Sequence, residues 1–200
     1  MQEILSIATK LAVIVISYLF GCICFAYYLT FIVHKKDIRV IGSGNPGSSN
    51  IGRHFGISWF ISVLLLDALK GFTVVIFVNY LDVDLWAKSV SMLAVIIGHI
   101  WPVQLSFRGG KGLATIMGVA LGFDPVIVLC CCVVAGLCYL LFNRNNAGLM
   151  VSVCFGPIFV WKLGYSIEEI ITFIAMTVLV IFAHRSNILS FLRSNFKVFQ

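Results

Sequence analysis

The chain has 200 residues, of which 60% are apolar and 11% charged, and its mean hydropathy is +1.05. A soluble domain carries about 25% charged residues, so a water-soluble globular protein is excluded. The net charge of +6 does not mark a nucleic-acid binder, because the cations are distributed by membrane side. The apolar runs recur to the C-terminus, so they are not one cleavable signal peptide. They are continuous rather than alternating, which argues for helices and against a β-barrel. The expected fold class is all-α: a polytopic transmembrane helical bundle forming a single integral-membrane domain over residues 1–200.

In chain order, the first apolar run is Ile4–Val33, ending in His34, Lys35, Lys36, Asp37 and Arg39. The second, Phe55–Tyr80, meets the acidic turn Asp82–Asp84. The third, Trp86–Phe107, leads to Arg108 and Lys111. A short fourth, Leu113–Phe123, ends at Asp124–Pro125. The fifth, Val126–Phe142, meets Asn143–Asn146. The sixth, Leu149–Trp161, meets Lys162, and the seventh, Ile167–Ala183, meets His184–Asn187. The tail Ile188–Gln200 reads as an amphipathic segment on the membrane. A crossing takes roughly 20 apolar residues, so the expectation is about seven spans, or about five if the fourth and sixth segments are re-entrant.

Alternating spans put Lys35, Lys36, Arg39, Arg53, Arg108, Lys111, Arg144, Arg185, Arg193 and Lys197 on one side. The other side receives Lys10, Lys88 and Lys162, beside Glu3, Asp82, Asp84, Asp124, Glu168 and Glu169. Cytoplasmic loops carry the Lys/Arg excess, so the N-terminus is expected outside and the C-terminus in the cytoplasm. Asp67 and Lys70 remain inside the membrane, three residues apart on one helix face. They read equally as a structural ion pair and as a functional site. The seven cysteines all lie in apolar runs without zinc-like spacing and read as small hydrophobes. No metal or cofactor is expected.

Three polar stretches fall on the basic side. Gly42–Arg53 is rich in Gly, Ser and Asn and ends on an arginine. It reads as a phosphate-binding nest, with a plain interhelical turn as the commoner origin of such composition. Gly98–Thr115 places Gly109, Gly110 and Gly112 around Lys111, just before an apolar helical segment. A helix N-terminus there offers free N–H groups, although the P-loop spacing is absent. His99 taken alone reads as an interfacial histidine. His184 and Asn187, three apart at the end of the last run, share a face, and a histidine can act as base near neutral pH. Their alternative is a snorkelling polar helix end. Asn143–Arg144 is a lesser element at the same side.

These residues resemble the bacterial acyl-phosphate-dependent glycerol-3-phosphate acyltransferases over most of the chain. The family's first motif, SGNxGxTNxxR, is matched by Ser43, Gly44, Asn45, Gly47, Asn50 and Arg53, with Ser49 in the Thr position. The second, GHxxPxFxxFxGGKGxAT, is matched by Gly98, His99, Pro102, Phe107, Gly109, Gly110, Lys111, Gly112, Ala114 and Thr115, with Gln104 at an aromatic position. Asp67, Lys70 and Gly71 fit the family pattern. The third motif is half present: His184, Arg185, Asn187 and Ile188 match, while Ser190, Phe191, Ser194 and Phe196 replace its Arg, Leu, Gly and Glu. Gly21-Cys22-Ile23-Cys24 stands where the family has Gly-Ser-Ile-Pro, and Ala147 stands near a phosphate-holding Ser.

The resemblance implies transfer of a fatty acyl group from acyl-phosphate to the 1-hydroxyl of glycerol 3-phosphate, giving lysophosphatidic acid and phosphate. It implies a bacterial inner-membrane protein with its active site at the cytoplasmic face, working with an enzyme that makes acyl-phosphate. On this reading Ser43 and Arg53 hold a substrate phosphate, and Asn45 and Asn50 shape their loop. Gly109, Gly110 and Lys111 hold the acyl-phosphate and offer N–H groups to the oxyanion. Gly98 and His99 line that site. His184 and Asn187 orient glycerol 3-phosphate, with His184 or a substrate phosphate oxygen as base, and Arg144 adds a further contact. A small transporter for an organic phosphate or lipid is the alternative class. It would need a polar path to the outer face, and no internal repeat favours it. A catalytically reduced paralogue is the third reading, motivated by Ala147 and Phe196.

Overall fold

The computed structural model describes residues 2–142 and 145–196. Among them the chain forms ten α-helices and two short 3-10 turns, and no strand. The helices are α1 (Gln2–Gly21), α2 (Phe25–His34), α3 (Ser48–Phe55), α4 (Ile57–Tyr80), α5 (Leu85–Ile100), α6 (Leu113–Phe123), α7 (Pro125–Phe142), α8 (Asn145–Lys162), α9 (Ile167–Ala183) and α10 (Arg185–Phe196). The 3-10 turns are Ile38–Val40 and Val103–Leu105. The all-helical bundle is as expected, and the fourth and seventh runs coincide with α6 and α9.

Three boundaries differ from expectation. The first apolar run is two helices, α1 and α2, bent by 44°. The third run stops as helix at Ile100, seven residues before Phe107. The sixth extends to 18 residues around an internal Pro157. By length and composition α4 and the stretch Leu85–Leu105, α5 with the 3-10 turn after it, can each cross a membrane, as can the bent pair α1–α2 taken together. α6, at 11 residues, is only about 16 Å long at 1.5 Å per residue and cannot cross alone.

The break between α1 and α2 is a hydrogen-bond problem with a local solution. Carbonyls freed from a helix in an apolar interior need other donors. Lys70 Nζ donates to Gly21 O at 3.0 Å and Ile23 O at 2.8 Å, and Gln104 Nε2 donates to Cys22 O at 2.6 Å. Gln104, where the related family has an aromatic, is therefore a cap for this chain's own break.

The helices approach closely where side chains vanish, as apolar bundles require. A Cβ on Gly71 would strike the Thr115 carbonyl, and one on Gly118 the Ala68 carbonyl. A Cβ on Gly122, four residues further on, would meet Phe72 and Val75, so α6 runs parallel to α4 with its N-terminus beside the middle of α4. The Gly109–Gly112 loop therefore sits at the depth of Lys70. Gly98, expected to line the substrate site, instead lets α5 cross α1: its Cβ would strike the Tyr18 carbonyl. The main core runs through Val95, Ile96, Val119, Met176 and Val180, all fully buried. A second cluster of Ala26, Ile38, Ile51 and Val63 anchors the polar loop that precedes α3. All seven cysteines are free, and Cys132 and Cys154 are exposed rather than buried.

Candidate active site

Two loops and one helix junction meet at one end of the bundle. The first loop, 41–47, is held by Asn50, which is 1% exposed. Its Nδ2 donates to Ile41 O at 2.9 Å, and its Oδ1 accepts from Ser43 N at 3.1 Å. Asn50 thus shapes the loop, its amide bonded to the loop's own backbone. The loop's N–H groups are also largely spent internally: Gly44 N donates to Ile41 O and Gly47 N to Asn45 O. Gly42 is needed because its φ is +57° and a Cβ would strike His54 and Asn50. Ser43 is exposed, its Oγ accepting a long 3.5 Å bond from Asn45 N. The Asn45 amide lies against Gly47 at the start of α3.

Arg39 ties this loop to the next. Its guanidinium pairs with Asp37 at 2.8 Å, lies 4.8 Å from the Tyr27 ring centroid and donates to Leu105 O at 3.1 Å. The Arg39–Asp37 bond holds the Asp37 carboxyl below its ordinary value. In the sequence Arg39 is only a membrane-side charge; its role as a strut depends on a contact 66 residues away and has no local signature.

In the second loop each glycine has its own cause. A Cβ on Gly109 would strike the His99 carbonyl, and one on Gly110 would strike the His99 ring. Gly112 takes φ +81° as the N-cap of α6. Gly109 N donates to Ile100 O and Gly110 N to His99 O. The expected offer of these N–H groups to an oxyanion is therefore corrected: they are occupied, and the glycines permit close packing on His99. The uncapped N–H groups begin at the first turn of α6, where Gly112 supplies no side-chain cap.

Lys111 is the centre of the site. It is half-buried, and its Nζ donates to Asn187 Oδ1 at 2.6 Å. Burial, then Arg185 and Arg53, hold its ammonium below the ordinary value of 10.5. Among the described residues none of these three cations has a carboxylate partner within salt-bridge range. The arginines are braced by backbone: Arg53 Nε donates to Ser49 O at 3.1 Å, and Arg185 Nη1 to Phe182 O at 3.0 Å, with the guanidinium 4.4 Å from the Phe182 ring centroid. Arg185 was matched in sequence but given no role; its charge adjacent to His184 was the available signal.

His184 closes the group, on the junction of α9 and α10. Its Nδ1 lies 2.8 Å from Val180 O. A carbonyl only accepts, so Nδ1 carries the proton and the neutral ring presents an unprotonated Nε2. Burial and the Lys111 charge lower its pKa from 6.5, against the Val180 bond. The structure thus brings Arg53, Lys111, His184, Arg185 and Asn187 together. It places Ser43 and Asn45 on the loop that leads to Arg53. His99 is 3% exposed, behind Gly110. Arg144 lies outside the described residues, as do the side chains of Ala147 and Phe196.

An apolar cleft begins beside this loop, lined by Leu113, Ile116, Met117, Cys131, Phe173 and Thr177 among others. A cluster of cations without carboxylate partners among the described residues, with the cleft's lining starting at Leu113, two residues after Lys111, suits a molecule with a phosphate and a hydrocarbon tail.

Comparison with known proteins agrees with this chemistry. Residues 11–194 match the family model described as glycerol-3-phosphate acyltransferase. The chain is 39% identical over 173 residues to glycerol-3-phosphate acyltransferase 1 of Bacillus thuringiensis subsp. konkukian, covering 86% of this chain and 94% of that protein. It is 35% identical over 179 residues to the glycerol-3-phosphate acyltransferase of Endomicrobium trichonymphae, covering 90% of each. The fold matches crystal structures of PlsY (YgiH), an integral membrane glycerol 3-phosphate acyltransferase. The glycerol 3-phosphate form gives a TM-score of 0.86 at 30% identity over 93% of each chain. The lysophosphatidic acid form gives 0.84 at the same identity and coverage.

Proposed function

The chain belongs to the glycerol-3-phosphate acyltransferase family, and from that membership we propose that it acylates the 1-hydroxyl of glycerol 3-phosphate to lysophosphatidic acid, taking the acyl group from acyl-phosphate. The observation that carries this is the cluster of Lys111, Arg53 and Arg185, without a carboxylate partner among the described residues, next to the loop where the apolar cleft begins at Leu113. The mutual repulsion of these cations is relieved when a phosphate enters, and two anionic substrates need such a field to approach each other.

Acyl-phosphate is a mixed anhydride with a good leaving group, so no covalent enzyme intermediate is required. The glycerol 1-hydroxyl adds to the acyl carbonyl, forming a C–O bond and a tetrahedral oxyanion. The oxyanion collapses, breaks the bond to phosphate and releases it. The hydroxyl proton passes to His184 Nε2, the lone pair left free by the Val180 bond. Lys111 and the first-turn N–H groups of α6 stabilise the charge, while Asn187 orients Lys111 and the acceptor. Ser43, Asn45 and Arg53 hold a phosphate from the other loop. The acyl chain lies in the cleft below Leu113.

The excess of Lys and Arg on the side of these loops supports a cytoplasmic site in a bacterial inner membrane, with the N-terminus outside and residues 1–200 acting as one domain. Hand-over from an enzyme that makes acyl-phosphate would shield this reactive donor from water. For Lys111→Ala, kcat/KM with acyl-phosphate should fall by about 10²–10³, with the protein still folded in detergent. Undiminished turnover would remove Lys111 from the mechanism and the cluster from the account.

A further inference from the structure

Outside the cation cluster, one buried set of polar groups has no role in the transfer described above. Asp67 and Lys70, on adjacent turns of α4, have side chains 2% and 0% exposed, with Lys70 Nζ 3.1 Å from Asp67 Oδ1. The same Nζ reaches Gly21 O at 3.0 Å, Ile23 O at 2.8 Å and His99 Nδ1 at 2.7 Å. Burying an ion pair is a poor route to stability. Capping the broken helix needs only the two carbonyl bonds. The third contact, to a histidine that packs against the glycine loop, needs a separate reason.

A lysine ammonium has three N–H donors and no acceptor. Gly21 O, Ile23 O and His99 Nδ1 are three acceptors, and Asp67 supplies the countercharge. Asp67 could instead take a proton from His99 Nδ1, but that separation is 3.6 Å, beyond a hydrogen bond. The 2.7 Å contact to Lys70 decides the matter: His99 Nδ1 accepts, and the ring is neutral with its proton on Nε2. Nε2 has no hydrogen-bond partner among the described residues and lies against Gly110, where a Cβ would strike it.

The geometry points to Lys70 as a positioning residue that fixes His99 as the Nε2–H tautomer, so that His99 presents a single N–H donor beside Gly110 to an anionic group of the acyl donor. His184 has the opposite tautomer, with Nδ1–H on Val180 and Nε2 open. The site thus has one histidine set to donate and one set to accept, each fixed by the contact on its far nitrogen. Only the identity of the anion rests on the acyl-transfer reading.

The test is ¹⁵N NMR of the imidazole-labelled protein, in which the four histidines give separable ring signals and His99 is assigned by its loss in His99→Gln. The wild type should show His99 with a protonated Nε2 and an unprotonated Nδ1. In Lys70→Met that preference should be lost, and kcat/KM for acyl-phosphate should fall about tenfold or more, the size expected for a lost charge-assisted bond. Asp67→Asn/Lys70→Met removes the stranded carboxylate and should give the same result if the single variant folds poorly. A wild-type His99 protonated on Nδ1, or an unchanged tautomer in the folded variants, would overturn the assignment. A wild type with the expected tautomer but no acyl transfer would overturn the functional reading alone.

Discussion

Two side chains at the site have their protonation set by surroundings that can be read directly. Lys111 is pushed below its ordinary 10.5 by burial and two arginines, and His184 below 6.5 by burial and Lys111. Lys111 works charged, so activity is lost as pH rises through its lowered pKa. His184 works neutral as a base, so activity is lost only as pH falls through a pKa below the usual histidine range. The kcat/KM profile, which reports the free enzyme, should therefore have its acid limb below 6.5 and its alkaline limb below 10.5. The acid limb should disappear in His184→Gln; a limb unchanged in that variant would assign the base to a substrate phosphate. Lys111, His184 and Asn187 were legible in the sequence because polar residues at apolar helix ends stand out. That Gly109 and Gly110 pack on His99 rather than bind an anion was not legible, since a glycine reads the same in either role.

Loops and helix ends carry the site, and their order comes from a few buried polar staples. Asn50 is the staple of the first loop. Asn50→Ala would leave Ser43 N without its partner and remove one of the two bonds to the Ile41 carbonyl, which Gly44 N still reaches, at a cost of about 1–3 kcal/mol for a group left unmade. The expected outcome is a lower thermal midpoint and weaker glycerol 3-phosphate binding, measured on the purified variant. A midpoint and affinity equal to wild type would show that the loop orders without it. In the second loop, Gly110→Ala should abolish activity more than its single methyl group suggests, because the added carbon meets the His99 ring. A thermal midpoint lowered in Gly110→Ala and recovered in Gly110→Ala/His99→Ala would confirm that contact, and full activity in Gly110→Ala alone would refute it. Hydropathy marked α4, α6 and α9 well because each is a simple apolar run. It missed the break after Gly21 because no proline or charge marks it there. The carbonyls that permit the break are satisfied by Lys70 and Gln104, 47 and 82 residues distant.

Across the whole molecule the two ends differ in how charges are paired. At the end holding the α4–α5 turn, Lys10 pairs with Asp84 at 2.7 Å, Lys88 lies 3.9 Å from Asp82, and Tyr165 donates to Asp124 at 2.9 Å. At the other end, Lys111, Arg53 and Arg185 have no carboxylate partner among the described residues, while Arg39 pairs with Asp37 as a strut. The sequence reading found this asymmetry as a count of charges by side. Only the fold shows that three of those cations converge beside an apolar cleft. The most direct test supplies the purified protein separately with acyl-phosphate, acyl-CoA and an acyl-carrier-protein thioester, each with glycerol 3-phosphate, and measures lysophosphatidic acid. Product from acyl-phosphate alone, with one phosphate released per lysophosphatidic acid, is the predicted result. Product from a thioester alone would contradict the donor, and no product from any of the three would contradict the enzyme.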